Sequence, residues 1–120
     1  MRLIIAGGRG YDFTSANWDR LDDLHAAHPV TAVLSGGAPG ADHGGEVWAR
    51  SRGIPVEVYA AEWGRWGSSA GPRRNREMAS RADAVVLFPG GAGTQNMHDE
   101  ARARDLRIFD WRATSWQGAK

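Results

Sequence analysis

The residues best placed to do chemistry lie in three glycine-rich turns: Gly7-Gly8-Arg9-Gly10, Ser35-Gly36-Gly37-Ala38-Pro39-Gly40-Ala41-Asp42 and Phe88-Pro89-Gly90-Gly91-Ala92-Gly93-Thr94. Each follows a short apolar run, and the two longer ones precede helix-compatible stretches. Glycine leaves backbone N–H groups unshielded, and a helix beginning just beyond adds the positive end of its dipole, so such turns can hold an anion. Three of them on one sheet edge suit a nucleotide-sized ligand better than a lone phosphate. The candidate ligand-binding residues are therefore Gly7, Gly8, Arg9, Gly36, Gly37, Ala38, Gly40, Asp42, Pro89, Gly90, Gly91, Gly93 and Thr94. Tight turns and close helix packing are the alternative use of the same glycines.

Three further residues join this set. Arg73, Arg74 and Arg76 open a candidate helix, where the dipole disfavours positive charge and an anionic partner would relieve it. The planar guanidinium fork suits phosphate, so these arginines, with Asn75 beside Arg74, are candidate ligand contacts. Ion pairing of Arg74 with Glu77 or Asp83 is the competing reading. Trp63 could stack a base or anchor packing. Asp42 could favour its helix N-terminus by charge alone or accept a hydrogen bond from a ribose hydroxyl. The pair Gly44-Gly45, inside a candidate helix, costs about 1 kcal/mol per glycine relative to alanine, which points to close approach of sheet or ligand. His43 and His98 lack a second ligand at metal spacing, so neither a metal site nor a cofactor is expected.

These residues need a frame that brings the turns together. Apolar runs at Leu3 to Ala6, Val30 to Leu34, Pro55 to Tyr59, Ala84 to Phe88 and Arg107 to Phe109 read as strands. Between them Thr14 to His28, Ala41 to Arg52, Arg73 to Ala82 and Gln95 to Arg104 read as helices, the first ended by Pro29 and the second by Gly53. Ala60 to Pro72 shows no period and reads as a binding loop or lid, and Trp111 to Lys120 has no clear pattern. Strand-helix alternation with fully apolar strands predicts an α/β fold: one Rossmann-like three-layer domain over residues 1–120, with about five parallel strands in the order 3-2-1-4-5.

Composition narrows the functions. A chain of 120 residues encloses one core, and a net charge of +1 sets up no field that would recruit nucleic acid or a membrane surface. There is no cysteine, hence no disulfide framework, which fits a reducing cytoplasm. The apolar N-terminal run is too short for a signal peptide, and no stretch approaches the roughly 20 residues of a membrane span. Helix faces bearing Met97 and Ala101 are expected to meet the sheet or a second subunit, leaving a homo-oligomer open.

Five motifs occur in order: Gly-Gly-Arg, Gly-Gly-Ala-Pro-Gly-Ala-Asp, Ala-Glu-Trp before a glycine, Ala70-Gly71-Pro72-Arg73-Arg74-Asn75, and Phe-Pro-Gly-Gly-Ala-Gly-Thr. In this the chain resembles the YspA/YpsA-related branch of the SLOG superfamily, from about Met1 to Asp110. The resemblance implies a Rossmann-like fold and a nucleotide-like small-molecule ligand, since relatives include LOG phosphoribohydrolases, DprA proteins and domains sensing nucleotide-derived signals, and the match of Arg74-Asn75 to the family's Arg-Asn pair makes Arg74 the first choice for a ligand contact. LOG hydrolases resemble the chain through Pro-Gly-Gly-x-Gly-Thr-x-x-Glu, whose glutamate supports cleavage of the N-glycosidic bond. Met97 stands at that position, and a thioether cannot stabilise an oxocarbenium-like transition state. Asp99 and Glu100 lie nearby. Three readings follow: a domain that binds or senses a nucleotide or an ADP-ribose-like molecule, an N-glycosidase acting on nucleoside monophosphates, and a protein-interaction scaffold.

Overall fold

A computed structural model describes residues 1–113; residues 114–120, the end of the tail without a sequence pattern, lie outside the described residues. The strands are β1 (Arg2–Ala6), β2 (Ala32–Ser35), β3 (Val56–Val58), β4 (Ala84–Leu87) and β5 (Arg107–Asp110). The helices are α1 (Ser15–Ala27), α2 (Ala41–Ser51), the single turn α3 (Trp63–Trp66), α4 (Ala70–Arg81) and α5 (Ala92–Ala103). All strand pairs are parallel, in the order β3-β2-β1-β4-β5 that the alternation predicts.

The apolar central strands explain the layers. Leu3 pairs in register with Val33 and Ala84, and these residues face α1 and α2 together with Ile5, Val86, Trp48 and Leu21. The alternate residues Ile4, Leu34, Val85 and Leu87 face α4 and α5, where Met78, Ala79, Met97 and Ala101 cover them. Because successive side chains of a strand point to opposite faces, β1, β2 and β4 must be apolar on both. The edge strands β3 and β5 are only partly covered. The Met97 and Ala101 face thus packs on the sheet.

The chain leaves β1 toward one face and β4 toward the other. That divergence between neighbouring strands opens a crevice at their carboxyl ends, the switch point of an open parallel sheet. Thr14 starts α1 with a reciprocal capping box: it accepts from the Asn17 N–H at 3.4 Å, while its own N–H donates to Asn17 Oδ1 at 2.8 Å.

Two boundaries differ from expectation. The segment from Ala60 to Pro72 is not a plain loop: it holds α3 and a 3-10 turn at Gly67–Ser69, and α4 begins at Ala70. Pro72 fits the first turn of α4, where no intrahelical donor is needed. Arg73, Arg74 and Arg76 therefore sit beyond the extreme N-terminus of their helix. Likewise α5 begins at Ala92, three residues ahead of Gln95, so Gly93 and Thr94 belong to its first turn. The Gly44-Gly45 pair serves packing: a Cβ at Gly45 would lie 2.6 Å from Ile5 Cγ2, and one at Gly44 would meet the Phe13 ring.

Candidate functional site

The three glycine turns converge, and the first is wired to both of the others. The Gly8 N–H donates to the Pro89 carbonyl at 2.8 Å, and the Gly8 carbonyl accepts from Ala41 at 3.0 Å. Gly40, at φ +79°, makes this approach possible, because a Cβ there would strike the Gly8 and Arg9 carbonyl oxygens. In the second turn the Gly37 N–H donates to Ser35 Oγ at 3.1 Å, and the Ala38 N–H to Asp42 Oδ2 at 3.3 Å. Ser35 Oγ in turn donates to the buried carboxylate of Glu46 at 2.6 Å. The N–H groups of Gly8, Gly37, Ala38 and Ala41 thus hold these turns in place.

The third turn is different. Among the described residues, the N–H groups of Gly90 through Thr94 have no acceptor, and no side chain caps α5. Gly91, Ala92, Gly93 and Thr94 line a cleft of about 570 Å³, with Gly7, Gly8, Arg9, Ala38 and Asp42 across from them. Unpaired N–H groups in the first turn of a helix are a group of donors to which an anion can bind. Gly36, Gly37, Gly40, Pro89 and Gly90 stand behind this wall and do not line the cleft. A Cβ at Gly36 would fall on the Arg74 guanidinium, and one at Gly90 would meet Thr94 Oγ1. These glycines shape the site without facing it.

Arg74 and Asn75 reach the cleft from α4. Arg74 pairs with neither Glu77 nor Asp83; its Nη1 donates to the Gly36 carbonyl at 2.7 Å and its Nε to Asn75 Oδ1 at 3.0 Å. Its Nη2 has no protein partner among the described residues. Burial lowers its pKa from the usual arginine value, yet a guanidinium stays charged. Arg9, exposed and without an ion-pair partner among the described residues, adds a second positive charge at the same cleft. By contrast, Arg73 is spent on Trp66, its guanidinium 3.7 Å from the ring centroid, and Arg76 on Glu100 at 3.8 Å.

Asp42 is the buried carboxylate of the cleft, only 6% exposed. Desolvation pushes its pKa up to about 6, against the opposing pull of the Ala38 N–H and of Arg74. Both sequence readings of Asp42 therefore meet in one place: it lies in the first turn of α2 and it faces the cleft. Trp63 is 55% exposed and edges the cleft, so it is no buried anchor. It lies over the first turn of α4, where a Cβ on Gly71 would come within 3.2 Å of its ring.

The cleft also contains residues that the sequence did not single out for ligand contact: Ala6, Ser68, Gly71, Pro72, Met78, Ala92, Asn96 and Met97. Met97 is 1% exposed and packed against the sheet as well as the cleft. The carboxylate that lines the cleft with it is Asp42, on α2. Glu100 pairs with Arg104 at 2.9 Å and with Arg76, and Asp99 accepts from Gln95 Nε2 at 2.9 Å; neither lines the cleft.

Fold and site together define a Rossmann-like domain with a cleft at the switch point of its sheet. Residues 1–66 match the YAcAr family, described as the YspA, cpYpsA-related SLOG family. The chain is also 34% identical over 119 residues to the Gene 61 protein of Mycobacterium phage D29, covering 92% of this chain and 95% of that protein. The protein belongs to the YspA, cpYpsA-related SLOG family. Membership brings with it, at a coarse level, nucleotide-related binding of a small molecule. No solved structure matches the chain. Among the described residues no helix is long and apolar enough to cross a membrane.

Proposed function

We propose that the cleft binds a nucleotide or a nucleotide derivative such as an ADP-ribose-like molecule, and that the protein is a binding or sensing domain rather than a hydrolase. The observation that carries this reading is the uncapped first turn of α5, whose unpaired N–H groups face Arg74 and Arg9 across one cleft. An anion placed there meets backbone donors on one side and guanidinium groups on the other. The apolar remainder of the cleft, with Trp63, Met78 and Met97, suits the flat face of a base. Positioning a phosphate in this way gives affinity without lowering the barrier to glycosidic cleavage. Where LOG hydrolases carry a glutamate, Met97 contributes a thioether against the sheet; Glu100 and Asp99 on the same helix are engaged elsewhere, and Asp42, the carboxylate that lines the cleft, accepts from the Ala38 N–H.

The test is incubation of the purified protein with AMP, CMP, GMP and their deoxy forms, with free base followed by chromatography. No base release above the uncatalysed control is expected. Turnover near 1 s⁻¹, about the ordinary enzyme range, contradicts the sensor reading and makes Asp42 the first carboxylate to replace.

A further inference from the structure

The side chain of Asn96 carries an orientation that can be deduced. Arg74 has only donors, so the Asn75 atom that faces its Nε at 3.0 Å must be the amide oxygen. The Asn75 nitrogen is then directed at the Gly93 carbonyl, 3.3 Å away, and at an atom of Asn96, 2.9 Å away. That atom of Asn96 must be its oxygen. The Nδ2 group of Asn96 is left over, with no acceptor among the described residues, on a half-buried side chain that lines the cleft. A relay starting at a permanent cation therefore fixes Asn96 to offer donors to a ligand.

The surroundings of that amide say what kind of acceptor fits. Met78 lies one turn beyond Asn75 on α4, and Met97 adjoins Asn96 on α5; both are buried, and both line the cleft. A hydrogen-bond donor framed by two thioethers suits a planar group with apolar faces and acceptors on its rim. We propose that Asn96 is a specificity-determining residue that reads the edge of a nucleobase, donating from Nδ2 to a ring nitrogen or carbonyl oxygen. This rests on the nucleotide reading of the cleft and adds to it the part of the ligand that α4 and α5 recognise.

The experiment is calorimetric titration of the wild type, Asn96→Ala and Asn96→Asp with AMP, GMP, CMP and UMP, and with ribose 5-phosphate as the baseless probe. Asn96→Asp preserves an oxygen for Asn75 while turning the cleft-facing atom into an acceptor, so it separates polarity from support. Asn96→Ala is expected to lose about five- to tenfold in affinity for the best-bound nucleotide, the size of one hydrogen bond, and nothing for ribose 5-phosphate, whereas Asn96→Asp, which adds a negative charge to the cleft, loses at least as much for that nucleotide and less for ribose 5-phosphate. Equal losses for ribose 5-phosphate would move the contact to the sugar or phosphate and overturn the assignment. So would wild-type affinity of Asn96→Asp for that nucleotide. Failure of every probe to bind the wild type is a separate result, which removes the nucleotide reading itself and this inference with it.

Discussion

Arg74→Ala is expected to weaken AMP binding by roughly 1.5–3 kcal/mol, the range for a lost hydrogen bond to a charged group. That is a fall of about ten- to 150-fold in affinity. The effect has two sources. The free Nη2 group is lost to the ligand, and the guanidinium that ties Gly36 and Asn75 together disappears, loosening the wall opposite the anion seat. Arg74→Lys restores charge without the fork, and an ammonium cannot reach the Gly36 carbonyl and a phosphate together, so it should recover less than half of the lost free energy. Calorimetry of both variants, with urea unfolding as the control for stability, checks the expectation. Unchanged affinity in Arg74→Ala contradicts the role assigned to it.

The second large effect is on stability and follows from Asp42. Its carboxyl is held near pH 6, against an ordinary value of 3.8, because burial disfavours the charge. Between about pH 4 and pH 6 the folded protein holds a proton that the unfolded chain has released, so stability falls as pH rises through that window and is flat above it. Asp42→Asn keeps an oxygen for the Ala38 N–H and carries no charge to desolvate. It should therefore be more stable than the wild type by about 1–3 kcal/mol at pH 8, with the difference vanishing near pH 4. Urea unfolding at the two pH values measures it. Equal destabilisation of Asp42→Asn at both would show that the carboxylate serves the loop and is not under desolvation strain. A charge retained in a cleft at the expense of stability is the pattern of a functional group.

The central strands were readable because β1, β2 and β4 are buried on both faces and must be apolar throughout, so their runs and their order follow from simple rules. The starts of α4 and α5 were not. Pro72 and Gly93 read as breakers, yet a helix's first turn tolerates both, and the orphan N–H groups that result at α5 lie in a turn that lines the cleft. A guanidinium near a helix start demands an explanation, which applies equally to Arg73, Arg74 and Arg76; Arg74 with Asn75 stands out from them by its resemblance to the family's Arg-Asn pair. Asn96 could not be singled out: its meaning depends on Asn75, 21 residues away, and only the packing of α4 on α5 brings the two together. The glycine turns taught the converse lesson. Parts of all three turns meet at one cleft, but Gly36, Gly37, Gly40 and Gly90 are required by contacts between loops and side chains, which no local pattern distinguishes from contacts with a ligand.

The central claim is that an anion seated on the first turn of α5, opposite Arg74, anchors the ligand. Parallel calorimetric titrations of the wild type with AMP, ADP-ribose and adenosine test it most directly. The account predicts saturable binding of one phosphorylated ligand per chain, with adenosine weaker than AMP by at least about tenfold, or 1.4 kcal/mol. Adenosine binding as tightly as AMP, or no binding by either phosphorylated compound, would contradict it.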